Sequence, residues 1–213
     1  DANVYPPMST QLENAGVEIM QGYAASHLQP APDLVIVGNA MKRGIEAVEY
    51  MLNERIAYTS GPQFLAEQVL QYRHVLAVAG THGKTTTTTM LAWILHYAGI
   101  DAGFLIGGVP LVDTQDERLK KAFAHSSYLG SDKTADHEGY FVIEADEYDS
   151  AFFDKRSKFV HYRPTTAILN NLEYDHADIF PNLAAIQTQF HHMVRMIPSN
   201  GKIIMPANTE SLE

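Results

Sequence analysis

The 213-residue sequence predicts an α/β fold in which helices cover parallel sheets. Short apolar segments that favour strands alternate along the chain with segments whose apolar residues recur at helical spacing. Glycine or proline follows several of these segments and marks their ends. The strongest single signal is the segment 74–86, an apolar strand that runs through a glycine-rich turn directly into a helix.

The first part of the chain has the pattern of a small alternating unit. In chain order, the predicted elements are a helix capped by Ser9 or Thr10 and ending at Gly16, strands over 17–20 and 33–38, a helix over 45–52 and a strand over 56–58. The tripeptide Ser60-Gly61-Pro62 is the best local chain breaker. We therefore predict one domain over residues 1–61 and a second over residues 62–213.

The second part continues the alternation at greater length. Its predicted elements are a helix over 63–72, strand 74–79, helix 84–98, strands 103–106, 140–144 and 165–169, helix 183–196 and strand 202–205. Residues 113–138 are polar and predict an irregular surface excursion. Trp93 and its neighbours Leu91, Ile94 and Leu95 are predicted to be core residues.

Composition excludes several classes of function. The chain carries 25 acidic and 15 basic side chains, so its formal charge of −10 makes duplex nucleic acid an improbable partner. Cysteine is absent, which excludes disulfides and cysteine metal sites and favours a cytoplasmic location. No segment reaches the apolar length of a membrane span, so we expect no membrane insertion. Nothing in the sequence indicates an oligomeric state.

The ends of the chain predict that it is a segment of a longer protein. The sequence begins at Asp1 without an initiator methionine, and it ends shortly after an apolar run, residues 203–205, that reads as a strand within a sheet.

The glycine-rich turn is predicted to hold a triphosphate. Glycines allow the backbone to approach phosphate oxygens, and backbone N–H groups together with the helix N-terminus supply partial positive charge. Lys84 adds a full charge, and the Thr85 hydroxyl is suited to binding Mg²⁺. The general pattern has a glycine where this chain has Val78, so the turn is a shortened variant; a plain turn with a solvated lysine is the alternative. The predicted nucleotide-binding residues here are Gly80, Thr81, His82, Gly83, Lys84, Thr85 and Thr86.

Two further predicted strands end in polar side chains. Glu144 closes the apolar run 141–144, and Asn171, Asp175 and His176 follow the run 165–169. Because ligands bind outside the carboxyl ends of parallel strands, we expect these residues to share one crevice with the glycine-rich turn. Glu144 would bind Mg²⁺, and His176 would complete a second magnesium site or orient a phosphate.

Each of these assignments has a simpler structural alternative. The acids after Glu144, namely Asp146, Glu147 and Asp149, are more often water-facing loop residues. A lone histidine is more often structural than a ligand. Gly107-Gly108 fits close approach of a ligand or a plain turn, and the basic run 154–158 fits either an anionic substrate or a balance for the neighbouring acids.

Three motifs together resemble the Mur ligases, the ATP-dependent amide-bond formers of peptidoglycan synthesis. They are Gly80-Thr81-His82-Gly83-Lys84-Thr85, Glu144-Ala145-Asp146-Glu147 and Asn171-x-x-x-Asp175-His176, and they occur in the order of the family. The resemblance implies that residues 1–61 are the later part of a Rossmann-like UDP-substrate domain. It further implies that residues 62–213 are an incomplete, P-loop-type central ATP-binding domain. A glycine-rich UDP-binding turn and a carboxy-terminal domain are then expected outside this segment, which alone should be inactive.

The resemblance also implies a reaction. The residues 1–9, 38–41 and 147–162 are similar to the branch that joins the recycled tripeptide L-alanyl-γ-D-glutamyl-meso-diaminopimelate to UDP-N-acetylmuramate through an acyl phosphate. Implied cofactors are ATP and Mg²⁺, with Lys84, Glu144 and His176 as catalytic residues, Thr85, Glu144 and His176 as metal ligands, and Asn171 at the nucleotide. Alternatives are ligation of L-alanine, a P-loop kinase and a non-catalytic nucleotide-binding module.

One family feature is missing from the sequence. Several Mur ligases carry a carbamylated lysine after the Asp-His motif, whereas here no lysine lies between Lys158 and Lys202. The side chains of Gln187, His191 and His192 are the candidates to support a second metal in its place.

Overall fold

A computed structural model describes residues 4–6, 8–133, 139–174, 180–207 and 209–212. The chain divides into two compact units, residues 1–61 with 150–155 and residues 62–149 with 156–213. Both units combine helices with parallel strands. Among the described residues, the helices are too short or too polar to cross a lipid bilayer.

The first unit contains a two-stranded parallel sheet. Its elements are α1 (Met8–Asn14), a 3₁₀ turn (Ala25–Leu28), β1 (Val35–Val37), α2 (Glu46–Asn53) and β2 (Tyr58–Ser60). β1 pairs with β2, and Val37, Met51 and Ile56 form the buried centre between sheet and helix.

The predicted strand over residues 17–20 is wrong, because this backbone closes a helix instead. Gly16 adopts a φ of +76°, and the Val17 N–H donates to the Leu12 carbonyl at 2.9 Å while the Gly16 N–H donates to Glu13 at 2.9 Å. This is the pair of hydrogen bonds of a Schellman motif, in which glycine takes the left-handed position. Val17 is therefore committed to the end of α1 and is 48% exposed.

The second unit is built on a six-stranded sheet. Its elements are α3 (Gly61–Leu65) continued by a π turn (Ala66–Leu70), β3 (His74–Ala79), α4 (Lys84–Tyr97), β4 (Gly103–Leu105), α5 (Glu117–Ala122), β5 (Ser127–Tyr128), β6 (Tyr140–Glu144), α6 (Lys158–Tyr162), β9 (Thr166–Leu169), α7 (Leu183–Val194) and β10 (Lys202–Ile204). The strand order is β10-β9-β3-β6-β4-β5. β4 and β5 are antiparallel, and the other neighbouring strands of this sheet are parallel. Two short strands, β7 (Asp149–Ala151) and β8 (Asp154–Ser157), form a separate sheet.

Helices cover both faces of the six-stranded sheet. One core cluster joins Ala77 and Ile143 to Phe159 of α6 and Phe190 of α7, and the other joins Val142 to α4 and α5. A strand buried on both faces needs apolar residues at consecutive positions rather than at alternate ones. This explains why β3 and β6 are nearly continuous apolar runs.

Two of the five consecutive threonines of α4 bond their hydroxyls to carbonyls of the preceding helical turn. The Thr88 hydroxyl, fully buried, donates to the Lys84 carbonyl at 2.8 Å, and the Thr89 hydroxyl donates to the Thr85 carbonyl at 2.7 Å. Threonine in a helix commonly satisfies its hydroxyl in this way. Such bonds satisfy the hydroxyls but slightly destabilise a helix, so the burial of Thr88, and not these bonds, favours the helix here.

Two other predictions fail in the second unit. The region predicted as an irregular excursion contains α5 and β5, with Leu119 and Phe123 buried against the sheet. Ile94, predicted as core, is 60% exposed on α4, while its neighbours Leu91, Trp93 and Leu95 are partly buried in the cluster around α5. Three of the four predicted core positions around Trp93 are thus confirmed.

This difference between buried and exposed apolar residues is testable. Phe104 is fully buried and stacks on Phe123 with ring centroids 4.8 Å apart, so Phe104→Ala should destabilise the chain by about 3–5 kcal/mol. The control Ile94→Ala should change stability by less than about 0.5 kcal/mol, because the side chain is exposed. Urea unfolding followed by the fluorescence of Trp93, the one tryptophan of the chain, measures both. Equal losses would contradict the fold described here.

Candidate functional site

The turn between β3 and α4 has backbone angles that require glycine. Gly80 has a φ of +144° and Gly83 a φ of +76°, and Gly83 is the N-cap residue of α4. A Cβ atom on Gly80 would lie 3.0 Å from the carbonyl oxygen of Asn171. The two glycines therefore permit both the sharp turn and its close approach to the end of β9.

The end of β9 holds this turn in place. The His82 N–H donates to the Asn171 side-chain oxygen at 2.8 Å, and the Asn171 amide donates to the His82 carbonyl at 3.2 Å. The Thr81 hydroxyl donates to the Glu173 carbonyl at 3.1 Å and accepts from the Glu173 N–H at 2.8 Å. Asn170 adds a bond from its amide to the Thr87 hydroxyl at 3.0 Å. The turn is thus fixed by a neighbouring strand end and not by its own residues alone.

The side chain of Lys84, the first residue of α4, reaches back to the turn, and its ammonium group contacts three oxygen acceptors. Its Nζ donates to the carbonyls of Gly80 at 2.8 Å and Thr81 at 3.4 Å, and it lies 3.3 Å from the carboxylate of Glu147. The side chains of Lys84 and Glu147 are only 11% and 3% exposed. An ammonium has three N–H donors, and only its contact with Gly80 is as short as a charge-assisted hydrogen bond, so the two longer contacts can be exchanged for a ligand oxygen.

A second polar group joins three elements at the same edge of the sheet. The Thr85 hydroxyl donates to the Glu144 carboxylate at 2.9 Å, and the Gly107 N–H donates to the other carboxylate oxygen at 2.7 Å. A Cβ atom on Gly107 would lie 2.9 Å from that oxygen. The absence of a side chain at Gly107 therefore lets the Glu144 carboxylate lie directly against the backbone, and a Cβ atom there would displace it.

The oxygens of Thr85 and Glu144 fit a magnesium ion. Mg²⁺ binds oxygen ligands octahedrally at about 2.0–2.1 Å, so two adjacent ligands lie about 2.9 Å apart. The separation between the Thr85 hydroxyl and the Glu144 carboxylate is 2.9 Å. In the part of the chain that the structure describes, no group of three or more histidine, cysteine or acidic side chains could hold a metal ion by itself. Other ligands, from phosphates and water, would have to complete the site.

The loop after Glu144 is anchored on α6. Lys158 lies 3.4 Å from the Asp146 carboxylate and above the Tyr148 ring, so one residue of the basic run balances a neighbouring acid. Tyr162 is buried beneath the loop. Burial raises the pKa of its hydroxyl, and the negative charges of Asp146 and Glu144 raise that pKa further. Tyr162 therefore stays protonated and neutral across the physiological pH range.

Most of the predicted site residues come together at one edge of the sheet. The predicted residues with contacts there are Gly80, Thr81, His82, Gly83, Lys84, Thr85, Glu144 and Asn171. Thr86 is exposed in the first turn of α4. His176 and Asp175 lie outside the described residues, so their roles stay predictions. Asn171 binds the turn through both side-chain atoms, and a contact with nucleotide also stays a prediction.

Sequence reasoning gave too little weight to two residues of this cluster. Glu147 was expected to face water but is buried beside Lys84. Asn170 was passed over, although two consecutive asparagines at a strand end are a recognisable signal. Among the candidates for supporting a second metal, Gln187 donates to the Ser211 carbonyl at 3.0 Å, and the side chains of His191 and His192 are exposed on α7.

Comparison with protein families assigns both parts of the chain. Residues 78–213 match the family described as Mur ligase middle domain, and residues 1–73 match the family described as Mur ligase family, catalytic domain. The first match alone covers more than half of the chain.

Individual relatives extend this finding. The UDP-N-acetylmuramate–L-alanyl-γ-D-glutamyl-meso-2,6-diaminoheptandioate ligase of Escherichia coli K12 is 59% identical over 213 residues, which are all of this chain and 43% of the relative. The UDP-N-acetylmuramate–L-alanine ligase of Solibacter usitatus is 32% identical over 97% of this chain and 39% of its own length. A crystal structure of a murein peptide ligase from Psychrobacter arcticus 273-4 is 76% identical, with a TM-score of 0.91, over all of this chain and 44% of that one. The chain thus spans less than half the length of each of these relatives.

The buried pair of Lys84 and Glu147 predicts a measurable cost when the lysine is removed. Lys84→Ala takes away a cation that a buried carboxylate contacts, so it should destabilise the second unit by about 3–5 kcal/mol. Adding Glu147→Gln to that variant should recover part of the loss, as a double-mutant cycle under urea would show.

The matched control is Lys158→Ala. The side chains of Lys158 and Asp146 are 23% and 31% exposed. The free energy of unfolding should therefore fall by less than about 1 kcal/mol. If Lys84→Ala and Lys158→Ala lower the free energy of unfolding by the same amount, burial of the pair of Lys84 and Glu147 has no energetic consequence.

Proposed function

The chain belongs to the Mur ligase family, and we propose that within a longer protein it forms the nucleotide-binding part of an ATP-dependent ligase. The proposed reaction joins the amine of L-alanyl-γ-D-glutamyl-meso-diaminopimelate to the carboxylate of UDP-N-acetylmuramate, a step of peptidoglycan recycling. The observation that carries this proposal is the 59% identity, over the whole chain, to a relative named for that reaction. Similarity to the L-alanine ligase of Solibacter usitatus is lower, at 32%.

The proposal divides the work between the two parts of the chain. Residues 1–61 would belong to a Rossmann-like domain that binds the UDP substrate, and residues 62–213 to a P-loop-type central domain that binds ATP. The separate family matches over residues 1–73 and 78–213 support this division. A cytoplasmic location belongs to the same proposal, because ATP and the UDP-linked substrate are cytoplasmic metabolites.

The turn at Gly80 to Lys84 would bind the terminal phosphates of ATP. Its N–H groups and the start of α4 supply partial positive charge, and Lys84 supplies a full charge. The bonds from the end of β9 to Thr81 and His82 support this role, because a turn that is held rigidly binds phosphate without first losing conformational freedom.

The Thr85 hydroxyl and the Glu144 carboxylate would hold Mg²⁺, which when bound neutralises the negative charge of the phosphates. The Gly107 N–H orients the carboxylate from the opposite side. His176 stays the proposed ligand of a second ion, and it lies outside the described residues.

Once the phosphates are bound, the positions of the reacting groups and the positive charge of Lys84 account for the two chemical steps. The muramyl carboxylate oxygen attacks the γ-phosphorus, and the bond to the β-γ bridging oxygen breaks, which gives an acyl phosphate and ADP. The peptide amine then attacks the activated carbonyl carbon, loses a proton and expels phosphate, which leaves the amide. Lys84 stabilises the charge that moves onto the phosphate oxygens in the first step.

One competition experiment tests the proposed function. The full-length protein is supplied with ATP, Mg²⁺, UDP-N-acetylmuramate and equal amounts of L-alanine and the tripeptide, and amide products and free phosphate are measured. The proposal predicts the tripeptide product and phosphate release that requires both the muramyl substrate and an amine. A predominant L-alanine product would transfer the assignment to the other branch. Stable phosphorylation without an amine would indicate a kinase, and binding without turnover a non-catalytic module.

The geometry of the turn predicts the effect of Gly80→Ala on nucleotide affinity. Alanine at a φ of +144° is strained, and its Cβ would lie 3.0 Å from the Asn171 carbonyl. Strain of about 1–3 kcal/mol should weaken binding of a non-hydrolysable ATP analogue by roughly tenfold or more in calorimetry of the full-length protein. Gly108→Ala is the control, because its Cβ would meet nothing within 4 Å. Equal affinities of the two variants would refute the requirement for glycine.

The carboxylate of Glu144 predicts a magnesium effect. Glu144→Gln removes the anionic ligand, so the Mg²⁺ concentration for half-maximal activity should rise by more than about tenfold, since even outer-shell partners of a metal contribute that much. Glu173→Gln removes the same charge from an exposed side chain at the neighbouring strand end and should leave the titration unchanged. Coincident titrations of the Glu144→Gln variant and the unmodified protein would argue against the metal role.

A further inference from the structure

We propose that Glu147 is a positioning residue, which holds the Lys84 ammonium in the orientation that stabilises the transferring phosphate. This inference rests on the proposed function and names a residue beyond its phosphate- and metal-binding groups. It starts from an unexpected location: an acidic residue in the polar loop after β6 that is only 2% exposed.

The burial of Glu147 sets it apart from the acid beside it. The Asp146 side chain is 31% exposed and pairs with Lys158, as a loop carboxylate near the surface commonly does. The Glu147 side chain is 3% exposed and lies 3.3 Å from the Lys84 ammonium. Removing a carboxylate from water is costly unless a cation or hydrogen bonds compensate. A polar loop residue in this position therefore calls for a specific reason.

The backbone around Glu147 is tied to the start of α6. The Ser157 hydroxyl donates to the Glu147 carbonyl at 2.6 Å and also lies 3.2 Å from the Gln189 side-chain oxygen. The Lys158 N–H donates to the Tyr148 carbonyl at 2.8 Å. Because α6 packs against the sheet through the buried Phe159, the Glu147 carboxylate is presented from a fixed base.

Lys84 gains its only charged acceptor, within the described residues, from this carboxylate. The other two acceptors of its ammonium are the carbonyls of Gly80 and Thr81, which belong to the same turn and move with it. A lysine side chain is long and has many rotamers, so one fixed opposite charge from the loop after β6 strongly restricts where its Nζ lies. Glu147 therefore links Lys84 to the sheet and α6 independently of the turn.

The distance indicates a contact that can be shared with a phosphate. Charge-assisted N–H···O bonds are typically about 2.7–2.9 Å long. The 3.3 Å separation between Lys84 and Glu147 is longer. The carboxylate therefore orients the ammonium and leaves it able to donate to a phosphate oxygen as well. A lysine that is oriented before the phosphate arrives stabilises the charge of the transition state without first having to reorganise. Losing that orientation should therefore lower kcat more than it raises the KM for ATP.

The test is a kinetic comparison in the full-length protein at saturating muramyl substrate, tripeptide and Mg²⁺. Glu147→Gln keeps the shape and one acceptor oxygen but removes the charge. We expect its kcat to fall more than about tenfold while the KM for ATP changes less than about threefold. Glu147→Asp keeps the charge on a shorter side chain and should recover part of the lost kcat. Asp146→Asn, the matched loss of charge one residue away, should retain the kcat of the unmodified protein.

Each other outcome is decisive. If the unmodified protein forms no amide, the proposed function fails. If it forms amide and Glu147→Gln has an unchanged kcat, or raises only the KM for ATP, the positioning role is overturned. An equal fall in kcat for Asp146→Asn also overturns it, since charge in the loop would then matter without position. Should Glu147→Gln fail to fold, Glu147→Asp decides when compared with Asp146→Asn: a lower kcat for Glu147→Asp at an unchanged KM for ATP supports the role, and an equal kcat contradicts it.

Discussion

The position of β3 between β6 and β9 in a parallel sheet is the constraint on which the whole site depends. Parallel neighbours end at the same edge of a sheet, so the turn after Ala79, the carboxylate of Glu144 and the asparagines after β9 meet there although they are far apart in the sequence. The helices that cover both faces fix the sheet and hence the relative positions of these ends. The polar groups are thus placed by the packing of an apolar core.

Each polar group at this edge is held by an element other than its own. The turn is tied to β9 by Asn171, Glu144 is oriented by Gly107 after β4, and Lys84 is paired with Glu147 from the loop after β6. Cross-linking of this kind restricts the turn, the carboxylate and the ammonium before any ligand arrives. A site that is ordered in advance spends less of its binding energy on its own ordering.

Sequence reasoning succeeded where the signal was local. The apolar runs that became β3, β6 and β9 are continuous because both faces of the sheet are covered, and the glycines at 80 and 83 mark a turn that requires positive φ. It failed where tertiary contacts decide. Residues 17–20 have the composition of a strand, yet Val17 is used to close a helix. The helix α5 was missed because it has few apolar positions. The placement of residues 150–155 in the first unit was missed because it depends on contacts that are distant in sequence. Burial of Glu147 had no local signal, since it lies in an acidic loop and the partner that holds it, Lys84, is the first residue of α4.

The most direct test of the account is a crystal structure of the full-length protein with a non-hydrolysable ATP analogue and Mg²⁺. The account predicts phosphate oxygens about 2.7–3.2 Å from the turn N–H groups and the Lys84 ammonium. It also predicts a magnesium ion about 2.0–2.1 Å from the Thr85 hydroxyl and a Glu144 oxygen. A triphosphate bound away from this edge of the sheet, or a magnesium ion that touches neither Thr85 nor Glu144, would contradict it.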